Sequence, residues 1–263
     1  MRKASYITAK KMNNTTYSVQ GPVSLKLALL TDFHNGDDTG IGAALQEQRP
    51  DVICIAGDFF KRYGMTGKEG QALSIQGVVL RFLITCAEIA PTFVSLGNHE
   101  QILTEEELRV VAQTGIILLD NDWINIDVDG VSVAIGGLTS KDVYLERDPW
   151  WMEDFGWVSD FESLECYKIL MCHHPEYWEK ETPKLKDRNI DLVLSGHAHG
   201  GQIRLMNRGL YSPGQGLLPK YTKGVHEGPH GKLIVSAGLS NTAGVVPRLF
   251  NPTEIVYVKL ENE

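Results

Sequence analysis

Short apolar runs closed by polar or glycine-rich turns recur along this chain. They are SLKLALLTD (24–32), DVICIAGD (51–58), PTFVSLGN (91–98), TGIILLD (114–120), WINIDV (123–128), VSVAIGGL (131–138), YKILMCHH (167–174), DLVLSGH (191–197), QIRLM (202–206), KLIVSAG (232–238) and EIVYVKL (254–260). Their length and Val/Ile/Leu content predict strands buried on both faces or packed in a sandwich. WINIDVDGVSVAIGG predicts a hairpin around Asp129-Gly130. Helical spacing lies between the early strands, in TGIGAALQEQRP, QALSIQGVVLRFLITCAEIA and TEEELRVVAQTG. The first ends before Pro50, and the third opens on a capping pattern and stops at Gly115. The order β-α-β-α-β-α-β, then a strand-rich half, predicts an α/β core of two packed sheets flanked by helices. No repeat or linker divides the chain, so residues 1–263 are expected to form one domain, with 1–22 as an N-terminal extension and the motif-bearing core at 24–205. The stretch DPWWMEDFGWVSDFESLE (148–165) fits neither period. It reads as a surface excursion whose aromatics pack on the core, or as one wall of a cleft.

The candidate chemistry stands where these strands stop. LALLTDFHNG ends on Asp32 and His34, DVICIAGDFF on Asp58, PTFVSLGNHE on Asn98 and His99, YKILMCHHPE on His173 and His174, and DLVLSGHAHGG on His197 and His199. Six of the eight histidines fall at these tips. In α/β sheets the carboxyl ends of strands converge on one crevice, so distant residues can meet there. Residues two apart on extended backbone point to the same side, which lets each Asp-x-His or His-x-His pair serve one place. Glycines at 36, 57, 97, 196, 200 and 201 permit sharp turns. Imidazole, carboxylate and amide oxygen together form a mixed ligand set for Mn, Fe, Zn, Co or Ni rather than calcium.

Charge and cysteines narrow the function further. A formal charge of −8 argues against sequence-independent nucleic-acid binding, which needs a basic face. The start, MRKASYITAKKMNNTTYSVQGP, has positive charge but neither the apolar stretch nor the cleavage site of a signal peptide, and the run in VSLKLALLTDF is too short to span a bilayer. A cytoplasmic location is therefore expected, with a peripheral membrane contact left open. Cys54, Cys86, Cys166 and Cys172 lack CxxC spacing, which argues against a disulfide framework and against cysteine-ligated zinc.

The ordered set DFHNG, AGDFF, GNHE, HHPE and GHAHGG resembles the calcineurin-like metallophosphoesterases, over residues 24 to at least 205. The resemblance implies a four-layer αββα sandwich and two divalent metal ions, manganese among the candidates. Asp32, His34, Asp58 and His199 would hold the first ion. Asp58 as a bridge, with Asn98, His173 and His197, would hold the second. His173 is preferred to His174 because the family ligand stands two residues before the proline, here Pro175; His174 reads as a neighbour of the ligands or a surface residue. The implied reaction is hydrolysis of a phosphodiester, pyrophosphate or phosphomonoester by a metal-bridging hydroxide, with His99 as general acid. The substrate would be a small phosphorylated molecule, nucleotide or lipid-linked. The protein-phosphatase branch of the family has an aspartate where this chain has Lys61, which leaves the partner of His99 unassigned. Lys61 and Arg62 read as anion contacts or a solvated loop, and Gln202 and Arg248 as substrate contacts or structural residues. GHAHGGQIRL and the segments after it are similar to bacterial phosphoesterases whose relatives include envelope-associated and UDP-diacylglucosamine pyrophosphatase-like hydrolases. The alternative function is a non-catalytic metal-binding scaffold on the same fold, although no ligand position of the family pattern is lost here.

Overall fold

The computed structural model describes residues 12–61, 77–140, 155–180, 182–240 and 248–262. In chain order its first half holds β1 (Asn13–Gln20), β2 (Leu25–Leu30), α1 (Ile41–Gln48), β3 (Val52–Ala56), α2 (Val78–Ile89), β4 (Thr92–Ser95), α3 (Glu105–Ala112), β5 (Ile117–Leu118), β6 (Asp122–Val128) and β7 (Val131–Leu138). There follow α4 (Gly156–Glu162), β8 (Tyr167–Cys172) and β9 (Leu192–Ser195), then two small ribbons, β10 (Arg204–Leu205) with β11 (Arg208–Gly209) and β12 (Tyr211–Ser212) with β13 (Gly216–Leu217). β14 (Gly224–Glu227), β15 (Lys232–Val235) and β16 (Glu254–Glu261) complete the set.

Two six-stranded sheets carry the fold, in the orders β1-β16-β2-β3-β4-β5 and β14-β15-β9-β8-β7-β6. β2 to β5 run parallel, as do β7, β8, β9 and β15. Because side chains alternate along a strand, each sheet has two apolar faces. Leu27, Leu29, Cys54 and Ala56 of one sheet pack with Ile135, Ile169, Met171, Leu194 and Ile234 of the other, forming the central layer. The alternate residues Ala28, Leu30, Ile53 and Ile55 face outward onto Leu45 of α1 and Phe82, Leu83 and Cys86 of α2. On the far side Leu170, Cys172, Val193 and Leu233 meet Val158 and Phe161 of α4. This is the αββα sandwich. Thr104 caps α3 in a reciprocal box with Glu107, as its sequence signals. The β6–β7 hairpin turns at Asp129 and Gly130, both with positive φ.

Some elements depart from the sequence reading. β1 is a full strand pairing with β16 over eight residues; its polar pattern, with Val19 alone buried, reflects an edge position. The predicted strand at 202–206 shrinks to Arg204–Leu205. Within 148–165 the described part forms α4, where Trp157 stacks on Trp123 and Phe155 meets Tyr177 edge-on, which supports the core-packing reading for those residues. Residues 148–154 and Arg62 lie outside the described residues. All four cysteines are free thiols, three of them buried.

Candidate metal centre

The tips of β2, β3, β4, β8 and β9 meet at one end of the sandwich. Asp32, Asp58 and His173 are buried together, with His173 Nε2 lying 3.0 Å from Asp58 Oδ2 and 3.9 Å from Asp32 Oδ1. His34 Nε2 stands 3.5 Å from the same Asp58 oxygen and 3.7 Å from Asp32 Oδ1, and His199 Nε2 lies 3.6 Å from Asp32 Oδ1. Four overlapping donor groups result among the described residues. The first is Asp32, His34 and His199 and the second His173, His174 and His197; the other two, Asp32 with Asp58 and His173, and His34 with Asp58 and His99, link them through Asp58. Asp58 Oδ2 lies within reach of both His34 and His173. The two histidines of GHAHGG therefore part company: the His199 ring stacks on His34 at 5.2 Å, while the His197 ring meets His173 at 5.1 Å and His174 at 4.2 Å.

The backbone that achieves this is not extended. Asp32, His34, Asp58, His197 and His199 all have left-handed φ between 44° and 63°. The members of each pair thus reach their places by a turn, not by the alternation of a strand, and this corrects the sequence argument. Glycines make the close approaches possible: a Cβ on Gly97 would stand 2.3 Å from Asp58 Oδ1, and one on Gly196 would stand 1.8 Å from Thr31 Oγ1.

Hydrogen bonds hold the carboxylates in place. Asp32 Oδ2 accepts from Thr31 Oγ1 at 2.8 Å and from the His197 backbone N–H at 3.1 Å. Asp58 Oδ1 accepts from the His99 backbone N–H at 3.0 Å. His173 Nδ1 pairs with the Ala56 carbonyl at 2.8 Å, so this nitrogen donates and leaves Nε2 toward the carboxylates. His99, partly exposed, places Nε2 3.9 Å from Asp58 Oδ2, with its ring edge-on to His34 at 4.5 Å. Asn98 Oδ1 pairs with His174 Nε2 at 3.2 Å, which brings Asn98 to the rim of the second group.

Electrostatics follows from burial first and neighbours second. Burial pushes the Asp58 carboxyl up, but the imidazoles of His173, His34 and His99 together outweigh it and hold the acid well below its usual range. Burial also opposes charge on His173, yet Asp58 pushes that ring up to about 10. His197 is pushed down to about 3 and His199 to about 4, chiefly by burial, and His174 falls well below the ordinary imidazole range for the same reason. These three rings are neutral at physiological pH, the form that offers a lone pair. Buried His34 Nδ1, His174 Nδ1, His197 Nε2 and His199 Nδ1 have no hydrogen-bond partner among the described residues. Buried polar atoms are rarely left so. Neutral imidazoles, two carboxylates and a nearby amide oxygen fit divalent transition ions.

Of the two sequence readings of His174, full burial among the other imidazoles excludes the surface one and leaves it a neighbour of the candidate ligands. The sequence reading missed other contributors. Glu100, inside the quoted GNHE, accepts backbone N–H bonds from Asp58 and Gly97 at 2.8 Å and from Phe60 at 2.9 Å, joining the loop after β3 to the loop after β4. Burial and the Asp58 carboxylate together push its carboxyl up to about 7. An acid directly after a candidate catalytic histidine, on a buried strand tip, was the available signal. Asn251, which donates to the carbonyls of His199 at 2.7 Å and Gln202 at 3.1 Å, has no local signal. Arg248 donates to the carbonyls of Asn251, Ser240 and Pro252, which supports its structural reading. Buried Gln202 keeps Oε1 unpartnered. Lys61 is half-buried, and its backbone N–H donates to Asn35 Oδ1.

The family model for calcineurin-like phosphoesterases matches residues 25–201. The uncharacterized metallophosphoesterase YkoQ of Bacillus subtilis (strain 168) is 26% identical over 81% of this chain and 73% of its own length. The uncharacterized protein YpbG of the same organism is 27% identical over 82% of this chain and 78% of its own. Phosphodiesterase YaeI of Escherichia coli (strain K12) is 27% identical over 60% of this chain and 52% of its own length. With the αββα fold and its buried His/Asp cluster, these matches place the chain in the calcineurin-like phosphoesterase family, as a metal-dependent hydrolase of phosphoric esters.

Proposed function

We propose that the chain cleaves a phosphodiester, pyrophosphate or phosphomonoester at a centre for two divalent ions. Asp32, His34, Asp58 and His199 would hold one ion, and Asp58, Asn98, His173 and His197 the other. The observation that supports this reading is the overlap of several Asp/His donor groups at the strand tips, with Asp58 Oδ2 within reach of both His34 and His173. His174 touches the second group and pairs with Asn98, so it orients that amide. Bound ions of this class polarise phosphoryl oxygens and lower the pKa of coordinated water.

The chain's own residues supply position and protons. Asp58 fixes His99 through its backbone N–H, keeping the ring beside the donor groups. Partial exposure lets His99 reach a substrate that the buried imidazoles cannot, and from there it protonates the leaving oxygen. Burial pulls its pKa down while Asp58 opposes that shift, so its acid role is confined to the lower-pH side of activity. The name of YaeI favours a phosphodiester as the substrate class. The test is hydrolysis of bis-p-nitrophenyl phosphate beside p-nitrophenyl phosphate by chelator-stripped protein, with Mn, Zn, Ni or Mg restored and Asp58→Ala as the blank. Metal-restored turnover, with the diester faster, supports the reading. His99→Ala should keep its metal and lose turnover; full activity in that variant would sink the acid role. A scaffold would instead bind ions and turn over nothing.

A further inference from the structure

The fold keeps its large apolar side chains inside, with one concentrated exception. Leu205, Met206, Leu217, Leu218 and Phe250 are 52%, 100%, 82%, 74% and 80% exposed, while no other large hydrophobic among the described residues exceeds 41%. All five belong to one outgrowth beside the metal centre. In the β10–β11 ribbon Leu205 pairs with Arg208, and the turn between them is Met206-Asn207, both with positive φ. In the β12–β13 ribbon Leu217 pairs with Tyr211, and the Leu218 N–H returns to the Leu210 carbonyl at 3.0 Å. Leu210 in turn bonds the Ile203 and Gly201 carbonyls, and Arg204 N–H bonds the Leu249 carbonyl, next to Phe250. The outgrowth is seated on the catalytic side: Gly201 packs so closely on Gly209 that a Cβ there would lie 2.3 Å from its Cα, and Asn251 ties the strip to His199.

Its charge differs from that of the rest of the chain. Residues 199–226 contain Arg204, Arg208, Lys220 and Lys223 and no Asp or Glu, in a protein of net charge −8. Lys220 pairs with Glu179 and Lys223 with Glu254, whereas Arg208 is exposed at the Leu205–Met206 tip and pairs with no side chain among the described residues. Aliphatic side chains on protruding turns, with a cation between them, match the boundary between acyl chains and anionic headgroups. A groove for a partner helix or strand would instead be concave, with its backbone edge offered for pairing.

We propose that this outgrowth docks on an anionic lipid surface, inserting Leu205, Met206 and Leu217 with Phe250 beside them while Arg208 meets the headgroups, so that the metal centre opens next to the membrane. The docking does not depend on which ester is cleaved. The test is co-sedimentation with vesicles of phosphatidylcholine alone and of phosphatidylcholine mixed with phosphatidylglycerol. The wild-type chain should sediment with the mixed vesicles and far less with the neutral ones. The Met206→Glu/Leu217→Glu double variant should bind at least about tenfold more weakly, and Arg208→Glu should weaken binding while flattening its salt dependence. Both variants should keep wild-type melting and wild-type turnover of soluble bis-p-nitrophenyl phosphate, because their substituted side chains face solvent. Equal binding by the double variant, or no binding by the wild type to mixed vesicles, would overturn the proposal. So would a dimer in sedimentation velocity that the double variant dissociates, since the face would then join two copies of the chain.

Discussion

Glu100 offers a sharp test of how the centre is held. Its Oε2 accepts from the N–H groups of Asp58 and Gly97, and its Oε1 from that of Phe60, all three bonds buried. Truncation in Glu100→Ala leaves three donors without protein partners. At about 1–3 kcal/mol for each such group, and allowing water to satisfy one of them, the loss is about 4 kcal/mol. For a chain of this size that corresponds to a fall in Tm of roughly 8–16 °C. Glu100→Gln keeps one oxygen; set where Oε2 stands, it retains two bonds and costs only about 1–2 kcal/mol. The same bonds fix Asp58 against the loop of Asn98 and His99, so the alanine variant should also lose bound metal while the glutamine variant keeps most of it. Thermal melts of chelator-stripped proteins, followed by elemental analysis after reloading, measure both effects. An alanine variant melting within a few degrees of wild type, or a glutamine variant no better than alanine, would refute the bracing role.

Three further outcomes are expected. Gly97→Ala should lower Tm and cut turnover by about a hundredfold, since its Cβ would meet both Asp58 Oδ1 and the Asp58 backbone nitrogen; thermal melts beside steady-state kinetics decide this, and wild-type Tm with normal kcat/KM would contradict the geometry. Asp58 keeps the His173 ring protonated up to about 10, whereas an ion needs it neutral. Loading at pH 8 should therefore release about one proton from this ring, with affinity rising toward alkaline pH and weakening as pH falls. Calorimetry in two buffers of different ionisation heat measures the release, and none would argue against His173 as a ligand. Arg248→Ala should lower Tm with little change in KM for a small diester, because its donors serve backbone carbonyls; a tenfold rise in KM at unchanged Tm would make it a substrate contact instead.

What the sequence revealed follows from how local each signal was. Buried strands announce themselves by apolar runs, so β2, β3, β4, β7, β8, β9, β15 and β16 were legible, and so were the residues at their tips. β1 was not: NNTTYSVQ buries only Val19, and its place beside β16 is set by pairing across more than 200 residues. α4 was hidden because aromatic packing, rather than clear helical spacing, holds Phe155, Trp157 and Phe161. In the site, the ends of the apolar runs pointed to Asp32, His34, Asp58, Asn98, His99, His173, His174, His197 and His199, and the structure brings these strand tips together. The preference for His173 over His174 came from the family resemblance alone, and His174 proves fully buried. The left-handed turns that aim these residues leave no compositional mark, because the positions are not glycine.

Those turns also carry an energetic cost. A non-glycine residue in the left-handed region costs about 1 kcal/mol, somewhat less for aspartate, whose side chain can bond locally. Five such residues at one end of the sandwich amount to roughly the lower bound of a typical domain's whole margin of stability. Glycine would relieve that backbone cost at Asp32 and Asp58 only by leaving the buried donors of Thr31, His197 and His99 without their carboxylate partners. The strain is thus carried by the same side chains whose buried contacts hold this rim together, so backbone and side-chain energetics are tied at one place.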